Sequence, residues 1–283
     1  MENLPSEIIK IIKDYLIFKP KNYQELSDAV NTYLLKFPEP TKYGDISTWD
    51  TSLIRSMAHL FNGERFKNHS LKLSFNNFNS DISNWNVSNV TNMSFMFNGC
   101  YRFNQDLSKW DVSKVTDMGS MFKGCSTFNQ SLNNWNVSNV KTMESMFYRV
   151  RSFNQPLNNW DVSKVKNMYC LFWWAENFNQ NIESWNVSNV ETMEAMFCEA
   201  TNFNQPLNNW NVSKVLNMTR MFSHASKFNQ DISNWNVSNV CYMDNLLFGA
   251  NSFNKYNCIL VWESNNYLNG YTLLSLAEYK SRI

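Results

Sequence analysis

Hydrophobic and polar positions repeat along this chain every 25 residues. Trp85, Trp110, Trp135, Trp160, Trp185, Trp210 and Trp235 mark one phase of the repeat. Met93 through Met243 and Phe103 through Phe253 keep the same step. An earlier unit carries Trp49, Met57, Leu60 and Phe61, followed by an insertion near 63–72. Roughly eight units therefore span 43–255, and a fixed period of this size is the mark of a repeat architecture. A second period of 50 overlies the first. Lys114, Lys164 and Lys214 share one phase, and Asn89, Asn139, Asn189 and Asn239 hold that phase in the intervening units.

Within a unit the apolar spacing changes. Leu107, Trp110, Val112 and Val115 follow the L-x-x-L-x-L-x-x-φ spacing of a leucine-rich-repeat strand and its exit. Trp110 and Val112 then face one way and Asp111 and Ser113 the other, which predicts a short strand. Val115, Met118, Phe122 and Cys125 step by three, four and three, which predicts one face of a short helix. The expected fold class is an α/β repeat solenoid, leucine-rich-repeat-like, with short parallel strands on one face and short helices on the other. One unit cannot offset the entropy of ordering itself, so stacking must supply the stability.

Both ends should carry caps. Residues 1–42 read as a helical N-terminal cap, with Leu4, Ile8, Ile11, Ile12, Tyr15 and Leu16 on one stripe and a second helix over Tyr23–Leu35. Residues 256–283 leave the repeat and read as a C-terminal cap.

Composition changes the picture in one respect. Aromatics reach 16%, charged residues only 17%, and the chain holds about 45 Asn, with a net charge of +1. That balance argues against a nucleic-acid footprint, which needs clustered Lys and Arg. No apolar run is long enough for membrane insertion. The first residues lack a basic segment followed by an apolar one, so a cytoplasmic or host-cell cytoplasmic location is expected. The six cysteines are then expected as free thiols, and the repeated Asn-x-Ser/Thr triplets as turn chemistry.

Catalytic signatures are missing from the pattern. Three scattered histidines and no Cys-x-x-Cys give no strong metal signature. Asn replaces Asp111 and Asp161 in most units, so no carboxylate pair is marked out. No catalytic, cofactor-binding or metal residue is expected, and no enzyme.

Binding should reside where units differ within one phase. One candidate surface is the strand face with Asp111, Lys114, Asp161, Lys164 and Lys214. The other is the edge where Asn98 and Lys123 give way to Tyr148 and Trp173, flanked by Arg149, Arg151 and Trp174. Trp, Tyr and Arg are the residues that dominate protein-binding hot spots.

The unit's Trp-Asp/Asn-Val-Ser-x-Val, Met-x-x-Met-Phe and Phe-Asn-Gln resemble the BspA-like leucine-rich-repeat family, also described as Mycoplasma-type repeats of unknown function. The resemblance implies surface or secreted binding proteins of bacteria and protists, or proteins of giant DNA viruses. A shorter stretch, Leu4-Pro5-Ser6-Glu7-Ile8 with Ile12 and Leu16, resembles the first helix of an F-box. That resemblance implies a Skp1-like adaptor as partner. Three readings stay open: a non-enzymatic protein-interaction scaffold, a ubiquitin-ligase substrate adaptor, and a structural virion or cell-surface protein.

Overall fold

The computed structural model describes residues 17–39, 41–65, 69–254 and 261–262. Consecutive 25-residue coils stack in register. Single parallel bridges join Asn92 to Asp117, Asp117 to Thr142, Thr142 to Asn167 and so on to Tyr242, one residue per coil. The first bridge, Ser56 to Asn92, spans the insertion.

The expected α/β leucine-rich-repeat solenoid is overturned. Among the described residues there are two complete α-helices, α1 (Tyr23–Lys36) and α2 (His69–Asn76), and both lie outside the regular units. Among the described residues no sheet forms, only the isolated bridges. The expected helix of each unit is a run of tight turns. In the unit starting at Asp117, the N–H groups of Met118, Ser120, Phe122 and Gly124 donate to the carbonyls of Thr142, Glu144, Met146 and Tyr148 in the next coil, at 3.2, 2.6, 3.1 and 2.8 Å. The alternate N–H groups of Met121, Lys123 and Cys125 turn back to the carbonyls of Met118, Ser120 and Phe122. The remaining one, Gly119, donates to its neighbour Asp117 Oδ1.

Every N–H from Met118 to Cys125 is thus satisfied, which is the condition a buried backbone must meet. A two-turn helix standing alone would be marginal and would offer nothing to the next coil. The turns instead give four backbone bonds per step, and they place Met118, Met121, Phe122 and Cys125 inward at 0% exposure. The geometry demands left-handed residues. Ser120 has φ of 55° and Gly124 of 78°, and the third residue of a type II turn has this sign.

The expected strand is also made of turns. Trp110 N–H bonds Leu107 O and Val115 N–H bonds Val112 O, both within the unit. Side chains link the coils on this side. Trp110 Nε1 donates to Ile82 O and Trp135 Nε1 to Leu107 O. Farther along, Asn129, Asn154 and Asn179 each donate a backbone N–H to the Oδ1 of the Asn one coil earlier, at 2.9 Å. The asparagine excess of the composition is in part this ladder.

Two columns of stacked Phe rings run through the core. Phe97, Phe122, Phe147, Phe172, Phe197 and Phe222 lie 5.5–5.9 Å from one another in turn. Phe103, Phe128, Phe153 and Phe178 repeat every 6.1 Å beside them. Each such ring is worth about 1.5–3 kcal/mol when buried.

At the first coil α1 lays Leu26, Ala29, Val30 and Leu34 on the core. Asn22 caps it by accepting the Glu25 N–H. Tyr33 meets Trp49 edge-on at 6.2 Å, and Trp49 stacks on Trp85. The insertion holds α2, whose Phe75 is buried. At the other end Trp262 is buried in the same core.

Acid sensitivity follows from the turns. Ser83, Ser108, Ser113 and Ser163 donate N–H to the carboxylates of Asp81, Asp106, Asp111 and Asp161. Hydrogen bonds from the side-chain hydroxyls and backbone N–H groups of these serines hold all four carboxyls below their usual value of 3.8. A lowered native pKa adds stability above the unfolded value, and that stability is lost as pH falls through the native one. The urea midpoint should therefore be flat from neutral pH down to about 5 and fall below about 4. Replacing the four aspartates with Asn should flatten the acid limb.

Candidate functional site

The two candidate surfaces fare differently. On the first, Lys114, Lys164 and Lys214 donate to Asn89, Asn139 and Asn189 Oδ1 at 2.7–2.8 Å. Asn139 and Asn189 in turn donate Nδ2 to Ser113 O and Ser163 O one coil earlier. The 50-residue period is this alternation of Lys and Asn along one bonded row. Asp111 and Asp161 accept from Ser113 and Ser163. All five residues are tied to the fold, and none projects as an uncommitted group.

The second surface is brought together. Tyr148 and Trp173, one coil apart, meet edge-on at 5.2 Å. The Arg149 guanidinium lies 4.2 Å from the Trp174 ring centroid and 5.3 Å from that of Tyr148, while Lys123 Nζ is 4.8 Å from Tyr148. Arg151 sits apart from this cluster, paired with Glu176 at 3.1 Å. Beneath the rings Cys170, Ala195 and Cys198 form a small separate apolar cluster with Tyr148, Tyr169 and Trp173. Trp173 Nε1 is buried there and has no partner among the described residues.

The patch extends beyond the residues that composition singled out. A cleft of about 280 Å³ continues it, lined by Trp173, Trp174, Glu199, Arg220, His224 and Phe248 among others. Its basis is a backbone row that side-chain chemistry alone does not reveal. The second left-handed position of the unit is Gly99, Gly124 and Gly249 in three coils, with φ of 73–80°. In the four coils between, the same position is Arg149, Trp174, Glu199 and His224, with φ of 57–59°. Glycine is the natural residue at positive φ, and a bulky side chain there costs about 1–3 kcal/mol. At Gly249 a Cβ would lie 2.4 Å from His224 Nδ1.

The thiols under the patch are chemically quiet. Burial pushes Cys170 up to about 12 and Cys198 up to about 11. Cys100 and Cys125 are fully buried, with thiols raised further still, and Cys241 is exposed. Iodoacetamide at mildly alkaline pH, followed by peptide mapping, should label Cys241 in the folded chain. Cys100, Cys125, Cys170 and Cys198 should label only after denaturation, because the thiolate is the reacting species.

Leu4, Pro5, Ile8, Ile12 and Leu16, the expected adaptor-binding residues, lie outside the described residues, as does most of the expected C-terminal cap. Among the described residues no helix is long and apolar enough to cross a membrane.

Register-stacked 25-residue coils define a repeat protein. A family model described as "Mycoplasma protein of unknown function, DUF285" matches residues 32–159, 64–185 and 151–262. These matches cover well over half of the chain, which belongs to that family. No curated protein and no solved structure matches it.

Proposed function

We propose that the protein is a non-enzymatic interaction module that binds a protein partner along the edge formed by Arg149, Trp174, Glu199 and His224. The observation that carries this reading is the replacement of glycine by large side chains at a left-handed position in four consecutive coils. The first left-handed position is non-glycine in every coil from Phe95 to Asn245, so what sets the second apart is the side chains that four coils place where three have glycine. The rings and guanidinium gathered on that edge are the groups that anchor protein interfaces. The Lys and Asn row of the opposite candidate surface has no such reserve of free groups.

A photocrosslinking amino acid at His224 tests the reading against the same label at Lys164, in lysate of the cells that make the protein. A defined protein adduct from position 224 and none from 164 is the expected result. Adducts from 164 alone, or from neither position, overturn it.

A further inference from the structure

We infer that the partner on this edge is a second copy of the same chain. The two stacks lie antiparallel about a two-fold axis at Trp174, with Arg149 of each copy paired to Glu199 of the other. The inference rests on reading the edge as a protein-binding surface and adds the identity of what it binds.

Charge sets aside simpler partners. The edge mixes signs, with Lys123, Arg149 and Arg220 beside Glu144, Glu194 and Glu199. A uniformly acidic or uniformly basic partner would meet like charge along it. A surface carrying the same mixture in reverse order would meet opposite charge. The net charge of +1 leaves little long-range repulsion between copies.

Two opposite charges in this mixture are uncommitted. The ion pairs among the described residues involve neither Arg149 nor Glu199. Arg149 is exposed and Glu199 half-buried. The Arg149 guanidinium lies 4.2 Å from the Trp174 ring centroid. A guanidinium stacked on a ring keeps its N–H edge free, where it can take a carboxylate bidentately. Glu144 and Glu194, five positions earlier in their coils, are engaged within the chain. They accept from the Asn167 and Asn217 amides at 3.0 and 2.8 Å.

The order of the row supplies the geometry. Along the stack the second left-handed position reads Gly99, Gly124, Arg149, Trp174, Glu199, His224, Gly249. Reversed about Trp174, Arg149 faces Glu199, Gly124 faces His224 and Gly99 faces Gly249. Each opposition then occurs twice, as an isologous two-fold interface requires. Charge meets opposite charge, and the imidazole meets positions that carry no side chain. His224 overhangs Gly249 in its own chain, occupying the space a Cβ would need there. Gly124 and Gly99 of the second copy leave room for that overhang. A second copy also carries the same coil spacing, so successive coils stay in register across the pair.

Sedimentation velocity on the full chain at about 1–100 μM tests the inference. The samples are the unaltered chain, R149E, E199R and an equimolar mixture of the two variants. The unaltered chain should form a dimer that dissociates on dilution. Each variant alone sets like charges against each other at both symmetric contacts, and should weaken the dimer about tenfold or more. The mixture should restore it, because one variant then brings two carboxylates and the other two guanidinium groups. Circular dichroism should show both variants folded, and restoration on mixing excludes unfolding as the cause of the loss. An unaltered chain that stays monomeric overturns the inference. So does a dimer that either variant leaves intact, or one that mixing does not restore. The adduct at position 224 separates this failure from that of the reading beneath it. An adduct of twice the chain's mass, holding only this chain's peptides, is expected. An adduct with a different protein overturns the inference and leaves the protein-binding reading standing. No adduct at 224 removes the reading on which the inference stands.

Discussion

Phe172→Ala should lower the unfolding free energy by about 3–5 kcal/mol, the usual cost of emptying a large aromatic site in a packed core. Phe172 is fully buried and touches rings on every side. Phe147 and Phe197 stack on it at 5.5 and 5.7 Å, Phe178 lies 3.9 Å away in the neighbouring column, and Trp185 is at 6.3 Å. Truncation removes contacts with the coil before and the coil after at once. In a stacked array stability is held by such nearest-neighbour interfaces. Urea titration of the Ala variant checks this. A loss below about 1 kcal/mol at Phe172 would show that the ring columns do not hold the coils together.

Asn204→Ala should cost about 1–3 kcal/mol through a different term. Asn204 Oδ1 accepts the Asn229 N–H and the Gln230 side-chain amide, each at 2.9 Å. Alanine leaves that half-buried N–H without its partner, and the desolvation cost of an orphaned donor exceeds the value of an ordinary hydrogen bond. Asp in place of Asn keeps an acceptor at the same atom and should lose less than half as much at neutral pH. Equal losses in the two variants would mean that the amide does something other than accept. Hydrogen exchange at the Asn229 N–H should rise in the Ala variant before any other amide of its coil.

Much of this was legible in the chain. The 25-residue step, the inward Trp, Val, Met and Phe, and α1 with its Leu26, Val30 and Leu34 stripe all follow from apolar spacing, and the stack places them as expected. The helix and strand of each unit did not follow. Inward steps of three and four residues fit a helix and a run of type II turns equally well, because both bring back a side chain after one local bond. What decides between them is the partner of alternate N–H groups, and that partner sits 24 residues away, as Thr142 does for Met118. Local periodicity carries no record of it.

The site was half legible for a related reason. Tyr148, Arg149, Trp173 and Trp174 stood out by residue type, and the structure gathers them. Glu199 and His224 did not, because their membership rests on backbone angle. Gly99, Gly124 and Gly249 in the same phase were the available signal: glycine at two ends of a row and none between. The Lys and Asp residues of the other surface were visible for the opposite reason. Their regular spacing follows the hydrogen bonds within and between coils.

The central claim is that the four middle coils present side chains from the second left-handed position, at a backbone cost that glycine avoids there in the flanking coils. Unfolding free energies of Trp174→Gly and Trp174→Ala test it most directly. Both remove the indole and its contact with Arg149, so the difference between them isolates the left-handed backbone at φ of 59°. The account predicts that the Gly variant is more stable than the Ala variant by about 1 kcal/mol. An Ala variant as stable as the Gly variant, or more so, would contradict it.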